Sequence, residues 1–207
     1  MERILIVLIT IGAITFTACN NNNKSSKEND MSKMNSDTTK MSAADATQIT
    51  EVTHNFTNVS PQLAASLKVV VDHYLDIKNA LIRNSGSEAA NDGKAMADAI
   101  SKVDKSLLTA DQKKIYNDIE GDLKENAEHI GKSSGDIAHQ REHFSMMSED
   151  VYDLVKTFGG GQSLYHEHCP MAEDGKGAIW LSETKEVKNP YFGGKMNECV
   201  KVKEVIR

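Results

Sequence analysis

The sequence predicts an all-α protein: an up-down antiparallel four-helix bundle closed by a small, β-containing C-terminal cap. Three observations carry that expectation. Apolar residues recur at three- and four-residue spacing from Pro61 to Phe158, the period of a helix with one buried face. Aromatic residues make up only 5% of the 207, with one Trp and 3 Pro, so Ala, Leu, Ile and Met carry the apolar content, a balance that suits helices better than a β-sandwich. The last fifty residues abandon helical spacing for short strand-like runs separated by Gly and Pro.

Residues 1–18 read as a lipoprotein signal peptide. Arg3 precedes an apolar run from Ile4 to Phe16, shorter than the roughly 20 residues a membrane-spanning helix needs. The run ends in Phe16-Thr17-Ala18-Cys19, which resembles a lipobox, although Phe16 departs from the usual aliphatic residue. Cys19 would then be acylated and become the mature N-terminus. Each buried methylene of such a lipid contributes roughly 0.8 kcal/mol to anchoring. The expected location is the bacterial envelope, facing the periplasm, with the lipid as the sole membrane contact.

Residues 19–55 read as a tether rich in Asn, Ser, Thr, Asp and Lys, too polar to offset its own ordering entropy. Thirty-odd flexible residues reach about 30 Å in root-mean-square terms. Met31, Met34 and Met41 within it are read as incidental.

Residues 56–160 hold the bundle. Leu63, Leu67, Val70, Tyr74, Ile77 and Leu81 stripe the first helix, which Asn84-Ser85-Gly86-Ser87 breaks. Met96, Ile100, Val103 and Leu107 stripe a shorter second helix, whose start Gly93 obscures. Thr109-Ala110-Asp111-Gln112 has capping-box form and opens a third helix striped by Ile115, Ile119, Leu123 and Ile130. Gly131 and Ser133-Ser134-Gly135 make the next turn. Ile137, Phe144, Val151, Leu154, Val155 and Phe158 stripe the fourth helix, which Gly159-Gly160-Gly161 ends. Short connections make consecutive helices antiparallel neighbours.

Residues 161–207 form the cap and concentrate the chemistry. Cys169-Pro170-Met171 and Met196-Asn197-Glu198-Cys199 each pair a thiol with a thioether. Residues two apart on a strand share a face, as do residues three apart in a helical turn, so each pair points one way. Brought together, the four sulfurs make a soft pocket that selects Cu(I) over hard cations. His166 and His168 flank the first pair and extend the range towards Cu(II) or Zn(II). The competing reading is a Cys169–Cys199 disulfide, stabilising by roughly 3–4 kcal/mol for a loop of about thirty residues. Spacing alone leaves both open; a thioether beside each thiol favours metal, because a structural disulfide has no need of it.

The tail resembles an uncharacterised (domain-of-unknown-function) family of bacterial periplasmic lipoproteins and heavy-metal efflux adaptor C-terminal domains. The residues that carry the resemblance are His168-Cys169-Pro170-Met171-Ala172, Gly177-Ala178-Ile179-Trp180-Leu181-Ser182, Asn189-Pro190-Tyr191-Phe192-Gly193 and Met196…Cys199, with Gln140-Arg141-Glu142-His143-Phe144 and Ser148 upstream. Val200 stands where that family usually has Gly. The resemblance implies handling of copper or a related heavy metal, Cys169, Met171, Met196 and Cys199 as ligands, and a periplasmic adaptor of an efflux pump as a partner.

A second histidine group stands apart. His139 and His143 share a face of the fourth helix, and antiparallel packing about a turn near Ser134 brings His129 towards His139. They form a second candidate site or an extension of the first.

Other classes find little support. A formal net charge of −6 without a basic run disfavours nucleic acid. No nucleophile elbow, phosphate loop or His-Glu-x-x-His pair argues for an enzyme. The expected function is a membrane-tethered soft-metal binding protein. The alternative is a non-enzymatic envelope interaction lipoprotein stapled by the disulfide.

Overall fold

The computed structural model describes residues 49–207. The signal peptide, Cys19, Met31, Met34 and Met41 lie outside the described residues. Among the described residues, no helix is long and apolar enough to cross a membrane. The fold is mostly helical, with a small mixed sheet of four strands.

Four long helices come first: α1 (Pro61–Ile82), α2 (Gly86–Ser101), α3 (Ala110–Lys132) and α4 (Ile137–Phe158). Each packs on the next, and α4 also touches α1. Local chemistry sets their ends. Ser60 accepts from the Leu63 amide with Pro61 at the first helical position, and Thr109 and Gln112 complete the expected capping box. Asp136 caps α4 by accepting from the His139 amide at 3.1 Å, and Gly159 ends it with φ +88°. All six apolar residues of the first stripe are buried, as are Phe144, Val151, Leu154, Val155 and Phe158 of α4.

Two glycines differ from their sequence reading. Gly93 lies inside α2, which begins at Gly86, and Gly131 lies inside α3 instead of in the following turn. A Cβ on Gly93 would meet the Ala127 carbonyl oxygen and the Gly131 amide at 2.8 Å, so the crossing of α2 and α3 requires bare backbone. Val103 and Leu107 fall beyond α2, which stops at Ser101; Leu107 belongs to a short 3₁₀ turn, Lys105–Leu107.

The sheet has strand order β1-β4-β2-β3, with β1 (Thr50–Val52), β2 (Leu164–Cys169), β3 (Ala178–Ser182) and β4 (Lys201–Ile206). Strand β2 pairs antiparallel with both β3 and β4, and β1 runs parallel to β4. The expectation that residues 19–55 are all tether therefore fails at Thr50–Val52, and the strands are not confined to the C-terminal cap. Strand β1 is held by backbone pairing, Thr50 opposite Glu204 and Val52 opposite Ile206, which needs no apolar pattern. The chain then hydrogen-bonds from Asn55 and Phe56 to the last turn of α4.

Sheet and helices share one core. Trp180, Leu181, Leu164, Cys169 and Ile206 are buried in the same cluster as Tyr74, Phe144 and Val151. The Tyr74 hydroxyl accepts from the Leu181 amide at 3.0 Å and meets Ser148 Oγ at 2.9 Å, so a single side chain joins α1, α4 and β3. Gln140 Nε2 donates to the carbonyls of Gly86 and Ile130, closing the helix ends together.

One buried acid stands out. Glu167 on β2 is fully buried, neither carboxyl oxygen closes a hydrogen bond, and burial pushes its pKa up to about 8 against the pull of Lys78. A carboxyl raised from 4.5 stabilises the fold in its protonated form, so that contribution is complete below pH 4.5 and fades as pH climbs to about 8. Each unit of displacement corresponds to about 1.4 kcal/mol. Urea unfolding with chelator present is therefore expected to show wild type losing stability relative to Glu167→Gln by a few kcal/mol between pH 4.5 and 8. Parallel curves for the two proteins would contradict this.

Candidate metal centre

The sulfur pair is built by β2 and by the loop before β4. Along β2, burial alternates so that Glu167 and Cys169 turn inward, and Cys169 ends the strand fully buried. Cys199, half-buried, comes from thirty residues later, and its Sγ stands 3.4 Å from Cys169 Sγ. Both are free thiols. The hydrogen bond to Cys169 pushes the Cys199 thiol up, because it favours the neutral form.

The loop that delivers Cys199 is held by two asparagines. Asn189, fully buried, accepts from the Tyr191 amide at 3.1 Å through its side chain and from the Gly194 amide at 2.8 Å through its carbonyl. Its own amide donates to Asn197 Oδ1 at 3.0 Å, and Asn197 Nδ2 donates to the Gly194 carbonyl at 3.1 Å. From α4, Arg141 Nε donates to the Pro190 carbonyl at 2.8 Å, while its Nη2 reaches the Leu81 carbonyl and Asn84 Oδ1. Gly193, at φ +62°, presses against Asn84 where a Cβ would collide.

The thioethers and the tail histidines are placed differently from the sequence expectation. Met196 has φ +53° and precedes a turn from Asn197 to Val200, so Met196 and Cys199 do not share a helical face; the Cys199 thiol donates to the Met196 carbonyl at 3.2 Å instead. Met171 and Met196 are 52% and 37% exposed, whereas Cys169 is buried and Cys199 half-buried. Strand alternation turns His166 and His168 to the side of β2 opposite Cys169. His166 packs on the Tyr152 ring, 4.4 Å between centroids, and lies 3.8 Å from Glu204; burial lowers its pKa, and that of His168.

The second histidine group does converge. His129 on α3 and His139 and His143 on α4 each place a ligand nitrogen within 4.8 Å of the other two. His129 and His143 stack with centroids 4.3 Å apart, and His139 meets His143 edge-on at 4.5 Å. Burial, then the two neighbouring imidazoles, lower the pKa of His143, favouring the neutral form that binds metals. A cleft of about 390 Å³ beside it is lined by Asp122, Glu125, Asn126, His143, Met146 and Asp150. Glu142, whose Oε2 lies 3.2 Å from His139 Nδ1, also lines another cleft with Met171. A third cluster, His73, Asp76 and Asp92 across α1 and α2, has no counterpart in the sequence reading.

Residues 70–163 match the family described as Protein of unknown function (DUF3347). The match runs from α1 to the turn before β2, so it contains all three histidines of the second group and stops short of both tail cysteines. No curated protein and no solved structure matches the chain.

Sequence reasoning missed Asn189, Asn197 and Arg141 as positioning residues; an Asn before Pro is a turn signal, but its partners are set only by the folded loop. Asn189→Ala removes a buried acceptor and is expected to raise amide exchange across residues 191–199 at least tenfold, about 1.4 kcal/mol of local stability. Exchange in α1 to α4 should be unchanged. Hydrogen-exchange mass spectrometry checks this, and equal protection of the loop in both proteins would refute it.

Proposed function

We propose that the chain is a non-enzymatic, lipid-anchored protein of the bacterial envelope that holds a soft metal ion, Cu(I), and passes it to the periplasmic adaptor of an efflux system. In this reading the four helices form an up-down antiparallel bundle that serves as a scaffold. The observation that carries the proposal is the meeting of Cys169 and Cys199 at 3.4 Å from two separate segments.

Thiolate is the softest ligand a protein offers, and two thiolates select Cu(I) over the hard cations of the envelope. Seating an ion needs little rearrangement. Metal–sulfur bonds of about 2.3 Å place two tetrahedral ligands roughly 3.8 Å apart, a few tenths of an ångström beyond the present gap. Metal entry must release the thiol protons, so affinity rises with pH. Met171, two residues after Cys169, and Met196, three before Cys199, are exposed and flexible thioethers close to the thiols in sequence. Weak outer ligands with strong inner ones suit an ion that must be both captured and released. The apolar leader and Cys19 support the anchor, and the efflux partner follows from the family resemblance of the tail.

The test is anaerobic titration of the full chain with Cu(I) against a chromophoric Cu(I) chelator. Expected are one ion per chain, loss of binding in Cys169→Ser and Cys199→Ser, and binding weakened about tenfold in Met171→Leu and Met196→Leu, the loss of about 1.4 kcal/mol. Equal copper content in wild type and the cysteine variants would overturn the proposal. A mass two hydrogens lower in the protein isolated in air, with Cys169 and Cys199 joined and no copper bound, would instead establish the structural disulfide, molecular oxygen being the oxidant.

A further inference from the structure

We propose that His129, His139 and His143 form a second metal site, separate from the sulfur pair, for a borderline divalent cation such as Zn(II) or Cu(II). The inference does not depend on copper binding by the thiols.

The donor set fits such an ion. Imidazole nitrogen suits zinc and copper(II), and three nitrogens leave a fourth position for water or a carboxylate. The nitrogens lie within 4.8 Å of one another, while metal–nitrogen bonds of about 2.0–2.1 Å require roughly 3.3 Å between tetrahedral ligands. Side-chain rotation closes the difference, because His129 and His139 are 43% and 39% exposed and free to turn.

The surroundings are those of a metal centre. Ligating histidines are commonly oriented by a second polar group at the other ring nitrogen. His143 Nδ1 lies 2.9 Å from Asn126 Oδ1, and His139 Nδ1 lies 3.2 Å from Glu142 Oε2. Each contact leaves Nε2 free to turn towards a common centre. Glu125 stands 3.9 Å from His129. Asp122, Glu125 and Asp150 line the adjoining cleft, an acidic approach that concentrates cations. The backbone beneath is rigid: α3 and α4 pack together, Asp136 caps the turn that carries His139, and Gln140 ties that turn to the end of α3.

The experiment uses the full chain with all three cysteines replaced by serine, so that no thiol competes. Zn(II) alone is titrated by calorimetry, and Cu(II) alone is followed by electron paramagnetic resonance. Expected are one zinc per chain, nitrogen superhyperfine structure in the copper spectrum, and binding at least tenfold weaker in His129→Ala and His139→Ala. Circular dichroism checks that these variants fold, and His143→Gln, which retains a polar group towards Asn126, provides a third. His73→Ala is expected to bind as the parent does. Absence of zinc binding, indifference to the histidine substitutions, or loss of binding in His73→Ala would each overturn the proposal.

Discussion

The placement of every tail residue depends on one circuit of aromatic contacts between the sheet and the helices. Trp180 on β3 meets Tyr191 at 5.7 Å, Tyr191 meets Phe144 on α4 at 5.7 Å, and Phe144 stacks on Tyr74 of α1 at 5.1 Å. The circuit returns to β3 through the Leu181 amide, which donates to the Tyr74 hydroxyl, while Tyr191 donates to the Ile179 carbonyl at 2.8 Å. Large apolar rings supply the burial and their polar ends fix the orientation. The four-stranded sheet, with its three-residue edge strand, shares a core with four long helices, and that packing makes it a fixed platform.

That platform explains how two cysteines thirty residues apart meet without a covalent bond. Cys169 is part of the shared core and cannot move far. Cys199 is carried by a loop whose backbone groups are satisfied by Asn189 and Asn197 and which Arg141 ties to α4 and to the end of α1. The residues around the thiols are thus largely polar holders of backbone. Buried backbone groups must find partners, and side-chain amides can satisfy donors and acceptors together.

The fold was legible wherever a period reached several turns. The stripes Leu63 to Leu81 and Phe144 to Phe158 are buried as their spacing implies, and the Thr109 capping box is formed. What escaped was tertiary. Gly93 looks like a helix breaker until α3 is seen to cross directly over it, and β1 is three residues whose hold on β4 lies in backbone groups that carry no sequence pattern. In the tail, chemistry outran geometry: the cysteines meet, but the left-handed φ of Met196 and the alternation of β2 turn Met196, His166 and His168 away from the arrangement their spacing suggested.

The histidine group was legible for the opposite reason. His129 and His139 are equidistant from a turn at Ser134, and an antiparallel pair with a short connection brings such positions together whatever the remaining sequence. Helix geometry therefore carries information about contacts across a hairpin that loop sequence does not. The same contrast separates the two proposed sites physically. Cys169 is fixed in the core while Cys199 stands half-buried on the loop, so only one of the two thiols is held by core packing. The imidazoles stand on the solvent side of a rigid helix pair beside an acidic cleft, where exchange with the medium is unobstructed. Soft sulfur and borderline nitrogen select different ions, so the two groups, if both are loaded, would not compete for one cation.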